Sequence, residues 1–521
     1  MKRTILTLVF IVLFLLGLWL LRSSPEQVDS QQSATTAPDT WLINNVLVID
    51  GTGKDAFPGF VRIQGTLIKE VGNIVPGKGE TVLDGHGQVL SPGFIDTHSH
   101  ADKALSNSPG ALAAVGQGIT TAVIGQDGGI DYKLPPLTEY FASLEKNPVA
   151  INIAAYASHN TIRAEVLGND YQHPSTDAQL EQMQTLLEAE MNAGALGLST
   201  GLEYDPGIYS DQTELIQLAK LVNQYGGRYI SHLRSEDRWF FEALEEIIAI
   251  GRESGVPVQI SHLKLAMKSL WGRAPEILAM LDKARAEGID ITADIYPYEY
   301  WQSFLYVLVP DRDPDNLAEI QFALDELAPP EKMILAQFDP EPSLEGQTFT
   351  DIAAGRGETV VETFSALLRL AQSQNELIGD HVDKIIATSM TEEDIIALLN
   401  WPHTNICTDG ELNGSHPRGA GSFPRVLGRY VRELGALPLE TAVHKMTGLS
   451  AQHMGIKDRG LVAPGMAADL VLFDPETVID NATTSDPAAL NTGITSVWVN
   501  GELVFENGAV TGTHPGVIVR R

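Results

Sequence analysis

Between Phe94 and Asp409 the chain repeats one unit: a short apolar run that ends on a polar residue, followed by a helical stretch. Candidate strands begin near Phe94 (FIDTH), Thr120 (TTAVIG), Asn152 (NIAAYAS), Leu196 (LGLST), Arg228 (RYISH), Pro257 (PVQIS), Ile289 (IDITAD) and Thr404 (TNICTD). Most of these starts lie 26 to 44 residues apart, the length that a strand, a crossover helix and the next parallel strand require. Helix signals fill the intervals. Asp211 and Glu214 form a capping-box-like start, Leu215, Leu218, Ala219 and Val222 recur at helical spacing, and Gly226 ends the run. Arg273 to Gly288 carries Ile277, Leu278, Leu281 and Ala284 in the same manner. Eight such units predict an α/β fold, a (β/α)₈ TIM barrel. An open doubly wound sheet is the competing fold, but no Gly-x-Gly-x-x-Gly follows the first strand to favour it. The last interval, about 115 residues from Ile289 to Thr404, is too long for one crossover. Residues 303–390 are therefore expected to be a partly helical insertion over the barrel mouth, ahead of the last barrel strand.

The ends of the chain have a different texture. Residues 41–91 and 461–521 read as short strands between Gly, Pro and Asn turns, with Asn500-Gly501 a strong hairpin signal. Both ends are expected to pair into one small β-sandwich beside a barrel spanning 92–460. At the start, Lys2 and Arg3 precede an apolar run from Ile5 to Leu21, broken only by Thr7 and Gly17. Residues 1–21 thus read as a signal anchor or a cleaved signal peptide, and residues 22–40 as a flexible polar linker. Either reading exports the catalytic part, held at the membrane facing the periplasm or cell exterior, or secreted. The balance of 35 Lys+Arg against 67 Asp+Glu gives a formal net charge of −32. A surface of that sign repels phosphates and anionic headgroups, so no nucleic acid is an expected partner and membrane contact is expected only through the N-terminal segment. No feature of the sequence sets an oligomeric state. A single cysteine, Cys407, excludes a disulfide within the chain and a Cys-rich zinc knuckle, leaving His and carboxylates to hold any metal.

Such residues recur at the C-terminal ends of the candidate strands. His98 and His100 close the first, Asp127 follows the second, His232 the fifth, His262 the sixth and Asp409 the eighth. In a barrel these ends share one rim, so groups more than 300 positions apart converge. Alternate residues of an extended chain project from one face, which lets His98 and His100 aim at one ion. A lone His-x-His is more often surface or core histidine, and it is the whole set that points to a metal. Imidazole and carboxylate suit Zn²⁺, with other divalent metals possible and one or two ions compatible with the set. The chemistry expected of it is hydrolysis by a metal-activated water, with Asp409 as general base and acid. His159 also ends a strand, the third, and is expected to support the site or face substrate.

The segments PGFIDTHSHAD, GLSTGLEYDPG, YISHLRSED, VQISHLK, DIYPY, TDGELNGSHPRGAGSFPR and KMTGLSAQHMGIKDRGLVAPGMAADLVLFDP make residues 41–521 resemble the amidohydrolase superfamily, and within it the D-aminoacylase family. The resemblance implies that His98, His100, His232 and His262 are metal ligands, that Asp409 is the acid/base, and that Glu203 bridges as a further carboxylate ligand. It implies that Lys264, Tyr296 and Arg418 hold the free carboxylate of a small-molecule substrate, with Arg234 a weaker candidate. A salt bridge for Lys264 and Arg418, and packing for Tyr296, are the competing readings. The family's Gly-Asn-Cys-Gly segment is replaced here by Gly125-Gln126-Asp127-Gly128, putting a carboxylate where the family has a thiolate. The implied reaction is cleavage of N-acyl-D-amino acids or small acylated peptides. A hydantoinase-like cyclic amidase or isoaspartyl-dipeptidase-like enzyme is the second reading, and a non-catalytic binding protein the third.

Overall fold

The computed structural model describes residues 40–129, 134–378 and 381–521. The expected signal or anchor, and all but the last residue of the linker, lie outside these residues. Among the described residues no helix is long and apolar enough to cross a membrane.

The chain enters through five short strands: β1 (Thr40–Val48), β2 (Phe57–Gln64), β3 (Leu67–Gly72), β4 (Thr81–Asp84) and β5 (Val89–Pro92). Alternation in β1 and β2 turns Ile43, Val61 and Ile63 into a small apolar core, completed by Leu470 and Trp498 from the far end of the sequence. Seven parallel strands follow: β6 (Phe94–Asp96), β7 (Ile119–Ile124), β8 (Asn152–Ala155) continued past Tyr156 by β9 (Ala157–Ser158), β10 (Gly197–Gly201), β11 (Arg228–His232), β12 (Val258–Ile260) and β13 (Ile291–Ile295). Each lies where the apolar runs place it.

An insertion then intervenes, built on the antiparallel strands β14 (Tyr300–Ser303), β15 (Ile334–Phe338) and β16 (Asp383–Thr388). Helices Leu317–Glu326, Phe349–Arg356 and Val360–Ile378 accompany them, and Phe338, Phe349, Phe364 and Leu367 form a separate core. The insertion is thus more than the partly helical segment expected: it has a sheet of its own. The eighth parallel strand, β17 (Thr404–Ile406), pairs with β13. The end of β6 meets the end of β17: Asp409 donates its backbone N–H to the His98 carbonyl at 2.8 Å, and His100 donates to the Gly410 carbonyl at 3.0 Å.

The chain finishes in β18 (Leu470–Phe473), β19 (Ile494–Val499), β20 (Glu502–Glu506) and β21 (Ala509–Val510). β18 pairs antiparallel with β5, so both ends of the described chain share one nine-stranded sheet. Asn500 and Gly501 both adopt positive φ, 47° and 81°, as a tight hairpin between β19 and β20 requires.

Helix Gln212–Gln224 starts as expected at Asp211, whose side chain accepts the Glu214 N–H at 2.8 Å. The reciprocal half of a capping box is missing, because the Glu214 carboxylate turns instead to His159 and Arg163.

Candidate metal centre

The C-terminal ends of the parallel strands carry a buried cluster of His, Asp and Glu. Donor atoms of His98, Asp127, His262 and Asp409 lie within 4.8 Å of one another, and those of His232, Glu236 and His262 form a second group. His98 Nε2 is 3.4 Å from both Asp127 Oδ2 and Asp409 Oδ1, and His100 Nε2 is 3.4 and 3.2 Å from the same two atoms. His262 Nε2 lies 3.4 Å from Asp127 Oδ1. Four donors set tetrahedrally at about 2.0–2.1 Å from a zinc-like ion stand roughly 3.4 Å apart. Both ring nitrogens of His98 and Asp127 Oδ1 are buried with no hydrogen-bond partner, the pattern of a site built for a cation rather than for internal pairing.

Electrostatics point the same way. Burial pushes the Asp127 carboxyl up, but His98 and His262 outweigh it and hold the group well below the usual range. Burial likewise raises Asp409, and Arg418 followed by His262 pulls it far down. His262 moves to about 10: burial and Lys264 lower it, while Asp409, Glu236 and Asp127 outweigh both. The centre therefore favours positive charge strongly enough to offset its burial.

Backbone strain is concentrated here. Asp127, His262 and Asp409 adopt φ of 49°, 34° and 48°, a region that disfavours side chains, and persist because neighbours over-determine them. The His262 N–H is held at 2.5 Å by Asp294 Oδ1, and Thr408 is fixed through its N–H and hydroxyl by Asp96, at 2.8 and 2.6 Å. Around the centre, His232 presents Nδ1 to His262 Nε2 at 3.0 Å and Nε2 to Glu203 at 2.9 Å. Burial raises the Glu203 carboxyl against the opposing pull of His232.

The three residues assigned to the substrate carboxylate also converge. Arg418 meets Asp409 Oδ2 at 2.6 Å, and its guanidinium lies 4.7 Å from the Tyr296 ring centre. The Lys264 ammonium is 5.8 Å from that ring and contacts Glu236 at 2.7 Å and His262 Nδ1 at 2.7 Å. The Tyr296 hydroxyl and Arg418 Nε are buried without partners.

Two expected residues are placed elsewhere. His159 is buried against Glu214 at 2.8 Å in a group completed by Arg163, and does not line the cavity over the cluster. Arg234 follows His232 by two, but β11 ends at His232 and the chain turns outward. Its guanidinium pairs with Glu246 at 2.9 Å.

Three contributors escaped the sequence reading. Glu236 sits behind His262, its Oε1 3.1 Å from Nδ1, and its only sequence signal was its place four residues after His232. Asp294 was visible as the one charged residue of the buried strand β13. His416 accepts the Arg418 N–H on Nδ1 at 3.0 Å, so Nε2 donates to the Tyr300 carbonyl at 3.1 Å, tying the Arg418 segment to the insertion. Cys407 is buried, with its thiol 3.2 Å from Asp294 Oδ1.

Residues 81–330 and 374–505 match the Amidohydrolase family. The chain is 34% identical over 517 residues to D-aminoacylase of Alcaligenes xylosoxydans xylosoxydans, covering 95% of this chain and 99% of that protein. It is 35% identical over 501 residues to N-acyl-D-glutamate deacylase of the same organism, covering 92% and 96%. Among solved structures, N-acyl-D-glutamate deacylase from Bordetella bronchiseptica, complexed with zinc and a phosphonate mimic of the reaction's tetrahedral intermediate, superposes with a TM-score of 0.82. It shares 32% identity over 92% of this chain and 99% of that one.

Proposed function

The chain belongs to the amidohydrolase family, and on that premise we propose that it is a metal-dependent N-acyl-D-amino-acid deacylase. One observation carries the reading: His98, Asp127, His262 and Asp409 converge in a buried centre, with Asp409 held directly by Arg418. A divalent ion bound there supplies Lewis acidity for the scissile carbonyl and lowers the pKa of water. Zinc, one or two ions per chain, suits the imidazole and carboxylate donors, and the Bordetella relative is complexed with zinc.

The chain's own groups do the rest. His98, His100, Asp127, His232, His262 and Glu203 hold the metal, and Glu236 orients His262 from behind. Lys264, Tyr296 and Arg418 receive the free carboxylate of the substrate, for which guanidinium geometry and the unpartnered phenol are suited. Asp409 Oδ1 faces the reacting side, takes a proton from the attacking water and returns it to the leaving amine. A substrate carboxylate drawn to Arg418 relieves Asp409 of part of that pairing and so strengthens it as a base. The products are a carboxylic acid and a free D-amino acid.

The bridge between Ser99 and Gly410 supports reading the eight parallel strands as one closed (β/α)₈ barrel, spanning 92–460 around the insertion. The shared end sheet supports the flanking sandwich of 41–91 and 461–521. The N-terminal apolar run supports export of the catalytic part. Cyclic amidases need no carboxylate clamp, so turnover of a cyclic amide such as a hydantoin, set against that of an N-acetyl-D-amino acid, separates that reading from ours. Asp409→Asn tests the mechanism: kcat on an N-acetyl-D-amino acid is expected to fall by roughly 10²–10⁴ with metal still bound. Retention of full kcat contradicts it.

A further inference from the structure

The cavity over the metal cluster has two unlike sides. One is charged. Its three cations, Lys264, Lys384 and Arg418, each already face a carboxylate: Lys264 meets Glu236 at 2.7 Å, Arg418 meets Asp409 at 2.6 Å, and Lys384 is in contact with Glu411. Asp127, Glu203 and Asp237 line the same side. The other side comes from the insertion, which also supplies Lys384, and is mostly apolar: Trp301, Phe304, Val307, Leu308 and Leu327, none more than 8% exposed, interrupted by Gln302 and Ser303. Phe304 and Val307 cluster with Tyr204, whose ring centre lies 4.6 Å from that of His232, so the wall reaches the ligand set itself.

We infer that this wall receives the amino-acid side chain of the substrate, so that the chain acts on N-acyl-D-amino acids with uncharged, apolar side chains and discriminates against acidic ones. The inference rests on the deacylase reading. Every such substrate carries one carboxylate, and Arg418, Lys264 and Tyr296 can take it. An aspartate or glutamate side chain brings a second, which against this wall loses its hydration and finds no free cation. Asp409 and Glu236 keep their contacts with His100 and His262 when Arg418 and Lys264 turn to a substrate carboxylate, whereas Lys384, the lining cation outside that clamp, is the cation in contact with Glu411. An apolar side chain instead covers Leu308 and Phe304 and gains by burial.

The test uses the intact, zinc-loaded protein and kcat/KM for N-acetyl-D-leucine, -methionine, -alanine, -glutamate and -aspartate. Leucine is expected to exceed glutamate and aspartate by on the order of 100-fold, the discrimination an unpaired buried carboxylate produces. Equal or faster turnover of the acidic pair overturns the inference and leaves the deacylase reading standing. Turnover of none of them overturns that reading, and this inference with it. Leu308→Ala and the volume-conserving Val307→Thr locate the wall, each expected to lower the leucine-to-alanine ratio by about tenfold. Val307→Arg is expected to raise the glutamate-to-leucine ratio by a similar factor. If these variants alter instead the dependence on acyl length in N-acyl-D-alanines, the wall serves the acyl group and the assignment fails.

Discussion

Histidine 262 condenses the logic of the site. Its strained backbone is held by Asp294, its Nε2 faces Asp127, and its Nδ1 meets Glu236 and Lys264. Glu236→Gln removes the charge that orients the imidazole and leaves Lys264 without its partner carboxylate. Metal affinity, measured by competition with a chelator, is expected to weaken by about 10–100-fold; unchanged affinity shows that Glu236 plays no such part. The six strand-end groups of the cluster were readable from sequence because a strand end fixes which rim a residue occupies. That position says nothing about the partner: His159 directly follows β9 and opens the next helix, yet it pairs with Glu214. Glu236, Asp294 and His416 were missed for the converse reason, since each acts through another residue.

At the scale of elements, the helix at Gln212–Gln224 shows how one side chain ties several segments. Burial pushes Glu214 up, but the hydrogen bond and charge of His159 and the charge of Arg163 outweigh it and bring the carboxyl from 4.5 to about 2. Its folded pKa lies below the unfolded one, so the stabilisation is complete above pH 4.5 and is lost as pH falls from there toward 2. The shift corresponds to about 3 kcal/mol. Glu214→Gln is expected to flatten the dependence of stability on pH between about 5 and 3, followed by urea unfolding. A slope equal to that of the unaltered chain contradicts the assignment. The parallel strands were legible because their apolar runs recur at crossover spacing. The sheet of the insertion was not: β14, β15 and β16 are short, antiparallel and separated by helices of unequal length, so no period announces them.

Across the whole molecule, the C-terminal strands are joined to the parallel strands by one buried network. Asp469 accepts from Asn152 at 2.9 Å and from the Asn500 backbone at 2.7 Å, and pairs with Arg459 at 2.5 Å. Asp469→Ala leaves Arg459 buried with its inner partner gone, an expected loss of about 3–5 kcal/mol in global stability by denaturant unfolding. A loss below about 1 kcal/mol shows that the sheet is held by its apolar core alone. Sequence texture announced that the ends pair, and Asn500-Gly501 announced their hairpin; the long-range polar network through Asn152 left no local pattern. The central claim is that a metal held by groups from five strand ends drives hydrolysis of D-configured substrates. The most direct measurement strips the protein of metal, adds zinc back in steps, and follows hydrolysis of paired N-acetyl-D- and N-acetyl-L-leucine alongside bound metal. Turnover of the D substrate alone, absent from the stripped protein and rising with bound zinc, is predicted. Full activity without metal, or equal turnover of the L substrate, contradicts the account.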